Sequence, residues 1–397
     1  MKKLPFLLSL AAVLATALPA RAAEEAAAPA AEPEAAAAKA ALAETAPAAD
    51  AKASLAKAAA WLAAQQKDDG SFSDPKHPGL SAIALWALLG ADDPGYAAAT
   101  RKASDWLLSR AQPDGGIYQP VPGRAGGGLS TYNTALALSA LSFTRRTDEP
   151  FVAAVLKART FLASSQLEGD DQFAGGFGYD KAAPHRYADL NNTAFVIDAM
   201  RRTQNYEDMR PAGEKKADID WEAALAYAES LHNGADAGDN AGGFAYSHAD
   251  AKAGTEKGEG GKVVLRSYGS ITYSGLESLV YCRLDRDDPR VRSTLDWASK
   301  HWTVDENPGV GDQGLYFFYD ILSRALTAAG IDSIPRSGDA AGGAPIDWRA
   351  ELVAKIASLQ RDDGSFVNAN GRFWENDPVL ATSYSAVSLA FAIGNLR

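Results

Sequence analysis

One short phrase is written three times in this chain: Gln66-Lys-Asp-Asp-Gly70-Ser-Phe72, Gln112-Pro-Asp-Gly-Gly116-Ile-Tyr118 and Gln360-Arg-Asp-Asp-Gly364-Ser-Phe366. Gln, Gly and an aromatic residue keep the same offsets in each copy. An apolar helical stretch precedes each one (Ala59 to Ala64, Trp106 to Leu108, Leu352 to Leu359), and a second follows after a polar or Gly-rich loop. The unit is helix, turn, helix. Such a hairpin cannot bury its apolar face alone, so recurrence every few tens of residues requires neighbouring copies to cover one another.

Weaker copies fill the gaps. Phe161 to Gln166 leads into Ala174-Gly-Gly-Phe-Gly-Tyr179, Trp221 to Leu231 leads into Ala241-Gly-Gly-Phe-Ala-Tyr246, and Val291 to Trp302 leads into Gly311-Asp-Gln-Gly-Leu-Tyr316. With the unit beginning near Trp348 this makes six hairpins, enough to close a ring. The second helices are expected over Gly79 to Leu89, Ser130 to Phe143, Leu190 to Arg201, Ile271 to Leu284, Gln313 to Ala328 and Ala381 to Ile393. They are apolar on more than one face, as an inner ring requires. Lys57, Lys102, Lys157, Glu222 and Arg349 give the first helices a charged outer face. In the turn, Gly supplies a positive φ or a close approach, the aromatic plugs the gap between hairpins, and Gln bonds exposed helix ends. The phrase is therefore read as a structural staple and not as chemistry.

The phrase, an upstream Trp or Phe, and six helical hairpins resemble the prenyltransferase and squalene-cyclase repeat superfamily from about Ser54 to the C-terminus. The resemblance implies an all-α fold, an (α/α)6 toroid of six helical hairpins around a central cavity. It further implies an apolar cavity for an isoprenoid or similar chain, with polar chemistry near the N-terminal ends of the inner helices.

The family's chemical motifs can be compared residue by residue. Class II terpene cyclases carry Asp-x-Asp-Asp followed by Thr-Ala, and the matching stretch here reads Asp189-Leu-Asn191-Asn192-Thr193-Ala194. An Asn amide has no proton to deliver to an alkene, so Asn191 removes the standard cyclase acid. Glu168-Gly-Asp170-Asp171 is superficially similar but falls in a solvated turn after an outer helix. Protein prenyltransferases hold zinc through Asp-x-Cys and a His. The corresponding Ser270-Ile-Thr272-Tyr273-Ser274 and Tyr319-Asp320-Ile321 lack both thiolate and imidazole. Cys282 lies too far along the same helix to substitute. The Gly-Cys-Gly-Glu-Gln stretch of thioester domains is missing, as is a G-x-S-x-G elbow. No metal and no cofactor is expected.

The N-terminus reads as an address. Lys2 and Lys3 precede an apolar run from Leu4 to Leu18, and Ala20-Arg21-Ala22 fits signal-peptidase cleavage. Residues 1–22 are expected to be a signal peptide, with an uncleaved anchor as the alternative. Residues 23–50 are expected to be an Ala/Pro/Glu-rich linker, and 51–397 the toroid, making the protein exported, periplasmic or secreted, with no transmembrane span after signal removal. A net charge of −11 disfavours nucleic acid as a partner. The single cysteine, Cys282, is expected to be a buried small hydrophobe, and five scattered histidines show no metal-ligand spacing.

What remains is an aromatic and polar set. Tyr132, Asn133, Asp189, Asn191, Asn192, Tyr273, Tyr316, Tyr319 and Tyr384 fall in the first turns of inner helices and are expected to crowd one mouth of the ring as ligand-binding residues. Helix capping and core filling account for the same residue types. Two functions stay open. One is a binding protein that keeps the cavity but lacks the acid and zinc ligands, taking an apolar or isoprenoid-like small molecule or another protein. The other is an enzyme. It would be a divergent terpene cyclase or prenyl-chain enzyme using Asp189 or Asp320 as acid, or a secreted carbohydrate-active toroid drawing two opposed carboxylates from Asp189, Glu277, Asp312 and Asp320. A prenyl diphosphate is disfavoured, because the inner helices carry no basic cluster at the expected mouth and Arg201 and Arg202 lie at the other end.

Overall fold

Helix starts in this chain are set by Asp and Pro. Asp189, Asp220, Asp288, Asp347 and Asp377 each accept a backbone N–H in the first turn of the helix they cap, and Pro78, Pro289 and Pro378 occupy first-turn positions, where no N–H is needed. The computed structural model describes residues 46–396 apart from 125, 184 and 338–341. The expected signal peptide and residues 23–45 of the expected linker lie outside the described residues.

The described helices alternate between two roles. The outer helices are α1 (Ala46–Ala64), α3 (Ala97–Leu108), α5 (Glu149–Ala163), α7 (Trp221–Ser230), α9 (Pro289–Lys300) and α11 (Trp348–Leu359). The inner helices are α2 (Pro78–Gly90), α4 (Ser130–Ser142), α6 (Leu190–Arg202), α8 (Gly269–Tyr281), α10 (Leu315–Ala328) and α12 (Pro378–Ala392). Each inner helix packs on the next, in the order α2, α4, α6, α8, α10, α12, and α12 returns to α2. The ring is closed, as the repeat predicts. Outer helix α1 also packs on α11, and it begins at Ala46, inside the segment expected to be linker. One departure from an all-helical chain is a small hairpin between α7 and α8, in which β1 (Thr255–Lys257) pairs antiparallel with β2 (Val263–Leu265).

The inner helices are buried on nearly every side, and several of their hydroxyls are satisfied by turning back on their own helix. Thr134 bonds the Ser130 carbonyl, Ser278 that of Ser274, and Ser385 that of Ala381. This back-bonding lets small polar residues occupy a dry interface without an orphaned group.

The repeated turn builds the ring in physical detail. In the first and third copies the Gly sits at positive φ (Gly70 at 99°, Gly364 at 93°), and a Cβ there would lie 2.7 Å from the Lys102 carbonyl oxygen or 2.6 Å from that of Lys57. The plug residue donates its N–H to a hydroxyl in the following inner helix: Phe72 to Ser81, Phe177 to Thr193, Phe244 to Thr272 and Phe366 to Thr382. The Gln amide bonds its own turn and the next outer unit. Gln66 reaches Ala99, Gln166 reaches Asp220, and Gln360 reaches Ser54, which ties the last hairpin to the first. The second copy is shifted by one residue. Its left-handed glycine is Gly115, its plug is Ile117, and the Tyr118 hydroxyl donates to Asp114 instead.

Candidate ligand cavity at the mouth of the ring

The N-terminal ends of the inner helices surround a cavity of about 230 Å3. Leu80 of α2, Tyr132 of α4, Asn191, Asn192 and Phe195 of α6, Ser270 of α8, Phe317 of α10, and Leu380 and Tyr384 of α12 contribute, so every inner helix reaches it. Loops supply His77, Tyr179, Lys252, Tyr268 and the run Arg372-Phe373-Trp374. Aromatic rings dominate the wall, with Phe195 edge-on to Tyr132 at 5.6 Å and Phe317 tilted against Tyr384 at 5.7 Å. Burial pushes Tyr132 up to about 12 and Tyr384 well above the ordinary phenol range, so both hydroxyls are neutral.

Of the residues expected at the mouth, Tyr132, Asn191, Asn192 and Tyr384 line this cavity. The others point elsewhere. Asn133 is a strut between hairpins: its Oδ1 accepts from the Gly79 N–H at 2.8 Å, and its Nδ2 donates to the Gly128 carbonyl at 2.9 Å. Tyr273 packs on Phe318 at 5.9 Å. Tyr316 packs edge-on to Phe366, and the Tyr319 hydroxyl donates to the Val304 carbonyl at 2.6 Å, which places both against the turns and not the axis. Asp189 is fully buried behind the wall, where one oxygen accepts the Asn192 N–H at 2.9 Å and the other accepts its Nδ2 at 2.8 Å. Burial pushes its carboxyl up despite these bonds. It is an N-cap within a shell of tyrosines.

Below the cavity the axis of the ring is filled by charge. Arg324 of α10 donates to Glu277 of α8 at 2.9 Å and to Asp320 at 3.2 Å, and lies 3.4 Å from Asp198 of α6. Arg202 pairs with Asp198 at 2.6 Å, and Ser139 of α4 donates to the same carboxylate at 2.5 Å. Both guanidinium groups lie over the Trp86 ring of α2, at 5.0 Å and 5.5 Å, and Arg202 also lies 5.6 Å from the Phe391 ring of α12. All six inner helices thus meet at this plug. Burial pushes Glu277 up to about 8 and Asp320 to about 6. Burial also opposes ionisation of Asp198, but Arg202 and Arg324 outweigh it and hold that carboxyl below its usual range. Near pH 7 the cluster is charge-balanced: Asp198 and Asp320 ionised, Glu277 protonated, both arginines cationic.

This arrangement bears on the enzymatic alternatives. Glu277 and Asp320 share one buried guanidinium, Asp189 caps a helix, and Asp312 is exposed and accepts from Asn370, so these four carboxylates do not face one another across an open cleft. Asp171 pairs with Arg186 at the surface. Cys282 is a half-buried residue ending α8, and burial raises its thiol to about 11. Among the described residues no group of acids, His and Cys is placed to hold a metal, and no helix is long and apolar enough to cross a membrane.

Several side chains of the cavity and the plug were missed by sequence reasoning. Lys252 and Arg372 lie in loops without periodicity. Arg324 did carry a signal: Asp198 and Arg202, and Asp320 and Arg324, are i,i+4 pairs inside helices that are otherwise apolar.

No protein-family profile matches the chain, and no curated protein matches it in sequence. Solved structures do match. The type II terpene cyclase MstE from Scytonema, in its apo form, superposes with a TM-score of 0.55 at 15% identity, covering 88% of this chain and 99% of that one. A variant of that enzyme holding its substrate geranylgeranyl dihydroxybenzoate gives a TM-score of 0.53 at 13% identity over the same shares. Another variant holding the product merosterolic acid A gives 0.53 at 15%, again over 88% and 99%. The chain is an α/α toroid with the fold of the terpenoid cyclases.

Proposed function

We propose that this is an exported binding protein that takes an apolar or isoprenoid-like small molecule into the mouth of its toroid, without the standard cyclase acid. The observation that supports this reading most is the division of the axis into two zones. Above lies an aromatic cavity reached by every inner helix; below lies a charge-balanced plug in which the nearby acids are committed to arginines. Asn191, at the position of the family's proton donor, is on the cavity wall and accepts from Ser274 at 3.0 Å. The ligand class follows from the rings in the wall and from the fold shared with an enzyme solved with an isoprenoid substrate and product. At about 230 Å3 the cavity is smaller than the roughly 300–1,000 Å3 usual for small-molecule sites, so it suits a short chain or one end of a longer one.

Isothermal titration calorimetry with farnesol tests the reading. Saturable one-to-one binding that is lost when Leu80→Trp fills the cavity supports it; no heat with the wild type, or binding untouched by that variant, refutes it. Export is checked separately by N-terminal sequencing of the mature protein, expected to begin at Ala23.

A second reading rests on Asp320. Its carboxyl is raised to about 6, and its charge bears on both the Tyr132 and Tyr384 hydroxyls. That makes it a candidate acid behind the two tyrosines. Cyclised product from a polyprene, abolished by Asp320→Asn, would favour this reading over simple binding.

A further inference from the structure

The chain as a whole is strongly acidic, yet the charged side chains lining the cavity are both cationic: Lys252 and Arg372. They flank one ring. The Lys252 Nζ lies 5.3 Å and the Arg372 guanidinium 5.4 Å from the Phe373 centroid, and the two charges raise one another's energy. Lys252 also sits 3.4 Å over the Tyr246 ring. No hydrogen bond or ion pair to its ammonium occurs among the described residues. Among the described residues the Arg372 guanidinium donates only to a neutral group, the side-chain oxygen of Gln313.

The nearby acids do not pair with these cations directly. Asp189 spends both oxygens on Asn192, Glu375 accepts from the Phe317 N–H and from Asn368, and Asp250 is solvent-exposed and, although its field reaches Lys252, forms no ion pair among the described residues. Desolvation depresses the Lys252 ammonium in spite of the field of Asp189. A partly buried ammonium with rings beneath it and no anionic partner is an arrangement that an incoming anion stabilises. Two further groups address the same space. Asn192 is 1% exposed, and its Oδ1 has no hydrogen-bond partner among the described residues, while the Asn191 Oδ1 accepts from Ser274 and leaves the amide nitrogen as that side chain's remaining polar group; both residues line the cavity.

Resting on the binding function proposed above, we infer that the ligand is an amphiphile with a singly charged anionic head of the carboxylate class, held between Lys252 and Arg372 with its apolar tail against the Tyr132, Phe195, Phe317 and Tyr384 rings. The head accepts from Lys252, Arg372 and the Asn191 amide. A protonated or hydroxylated substituent on the same ligand satisfies Asn192 Oδ1. A diphosphate fits less well, because two cations leave part of its charge uncompensated and no metal-binding group accompanies them among the described residues. The backbone N–H groups of the surrounding helix starts do not substitute as an anion cradle, being already taken: Gly79 by Asn133, Ser130 by Asp180, and Ser270 by Asn307.

The test compares farnesoic acid with farnesol, probes of one tail and two heads, by calorimetry at pH 7.5. The wild type is expected to bind the acid about tenfold to a hundredfold more tightly, the range of a charge-assisted hydrogen bond. Lys252→Gln should remove most of that preference while weakening farnesol by less than about threefold, and Lys252→Arg should restore it. Equal affinity for the two probes, or a stronger farnesol complex, overturns the anionic head and leaves the apolar site standing. Failure of both to bind overturns the site itself. The wild-type ratio decides the matter even if a variant fails to fold.

Discussion

Replacing Arg324 by Met should be the most damaging single change at the axis, and its cost should depend on pH in a defined direction. The guanidinium touches three carboxylates, at 2.9 Å (Glu277), 3.2 Å (Asp320) and 3.4 Å (Asp198), and is itself 1% exposed. Removing one partner of a buried ion pair costs about 3–5 kcal/mol, because the remaining charge is left in a dry site. That is a large part of the roughly 5–15 kcal/mol by which a domain is stable. Burial has already pushed the Glu277 and Asp320 carboxyls up, to about 8 and about 6, and the Arg324 charge opposes this rise most strongly in both. Without it both rise further, so the folded variant binds more protons than the unfolded chain over a wider range. Stability falls with rising pH wherever the native state holds the extra protons. The loss should therefore be largest at pH 8 to 9 and shrink toward pH 5, where the orphaned carboxyls take up protons. The wild type follows the same sign more weakly, losing stability as pH rises from about 5 through 8. Urea denaturation followed by circular dichroism at pH 5, 7 and 8.5 measures this. A cost below about 1 kcal/mol at pH 8.5, or one equal at all three values, would refute the reasoning.

Three further changes address the turns and the cavity. Gly364→Val should lower the melting temperature, with a cost above about 1 kcal/mol, since φ is 93° and the new Cβ would meet the Lys57 carbonyl oxygen at 2.6 Å. Gln360→Ala should cost about 1–3 kcal/mol by denaturant titration, because its amide closes the ring onto Ser54 at 2.9 Å and onto Gly364 at 3.0 Å. Asn191→Asp, which restores the middle carboxylate of the cyclase motif, is expected to give no cyclised product from squalene, since a cavity of about 230 Å3 does not enclose so long a chain. Product detected by gas chromatography would overturn that size argument.

The ring itself was legible because its signals are local and repeated. A Gly four residues after a Gln, followed by an aromatic, marks three of the hairpin turns, a Gly-Gly-Phe run marks two more, and the predicted inner helix Leu190 to Arg201 differs from the observed one by a single residue. The slip at Gly115 arose from a Gly-Gly pair, in which either residue satisfies the pattern. The site was harder to read for a physical reason. Inner helices are buried on all sides, so their hydrophobic pattern does not reveal which face meets the axis. In Tyr316-Phe317-Phe318-Tyr319, Phe317 turns inward with Asp320 and Arg324 below it, while Tyr316 and Tyr319 face the turns. The helical period separates these faces, but only the i,i+4 charges of Asp320 and Arg324 mark the axial one. Asn133 and Asp189 were ambiguous by type, since a residue that caps a helix has the same donors and acceptors as one that holds a ligand. Lys252 belongs to the long connection before α8, where no periodicity indicates what a loop side chain will approach.

Native mass spectrometry of the protein purified from its native host, with extraction of whatever accompanies it, tests the central claim most directly. A single small apolar or amphiphilic adduct in one-to-one ratio, lost from the Leu80→Trp variant, is the predicted result. An adduct retained by that variant, or a wild-type protein that neither carries nor takes up an isoprenoid on incubation, would contradict a ligand site at the mouth of the ring.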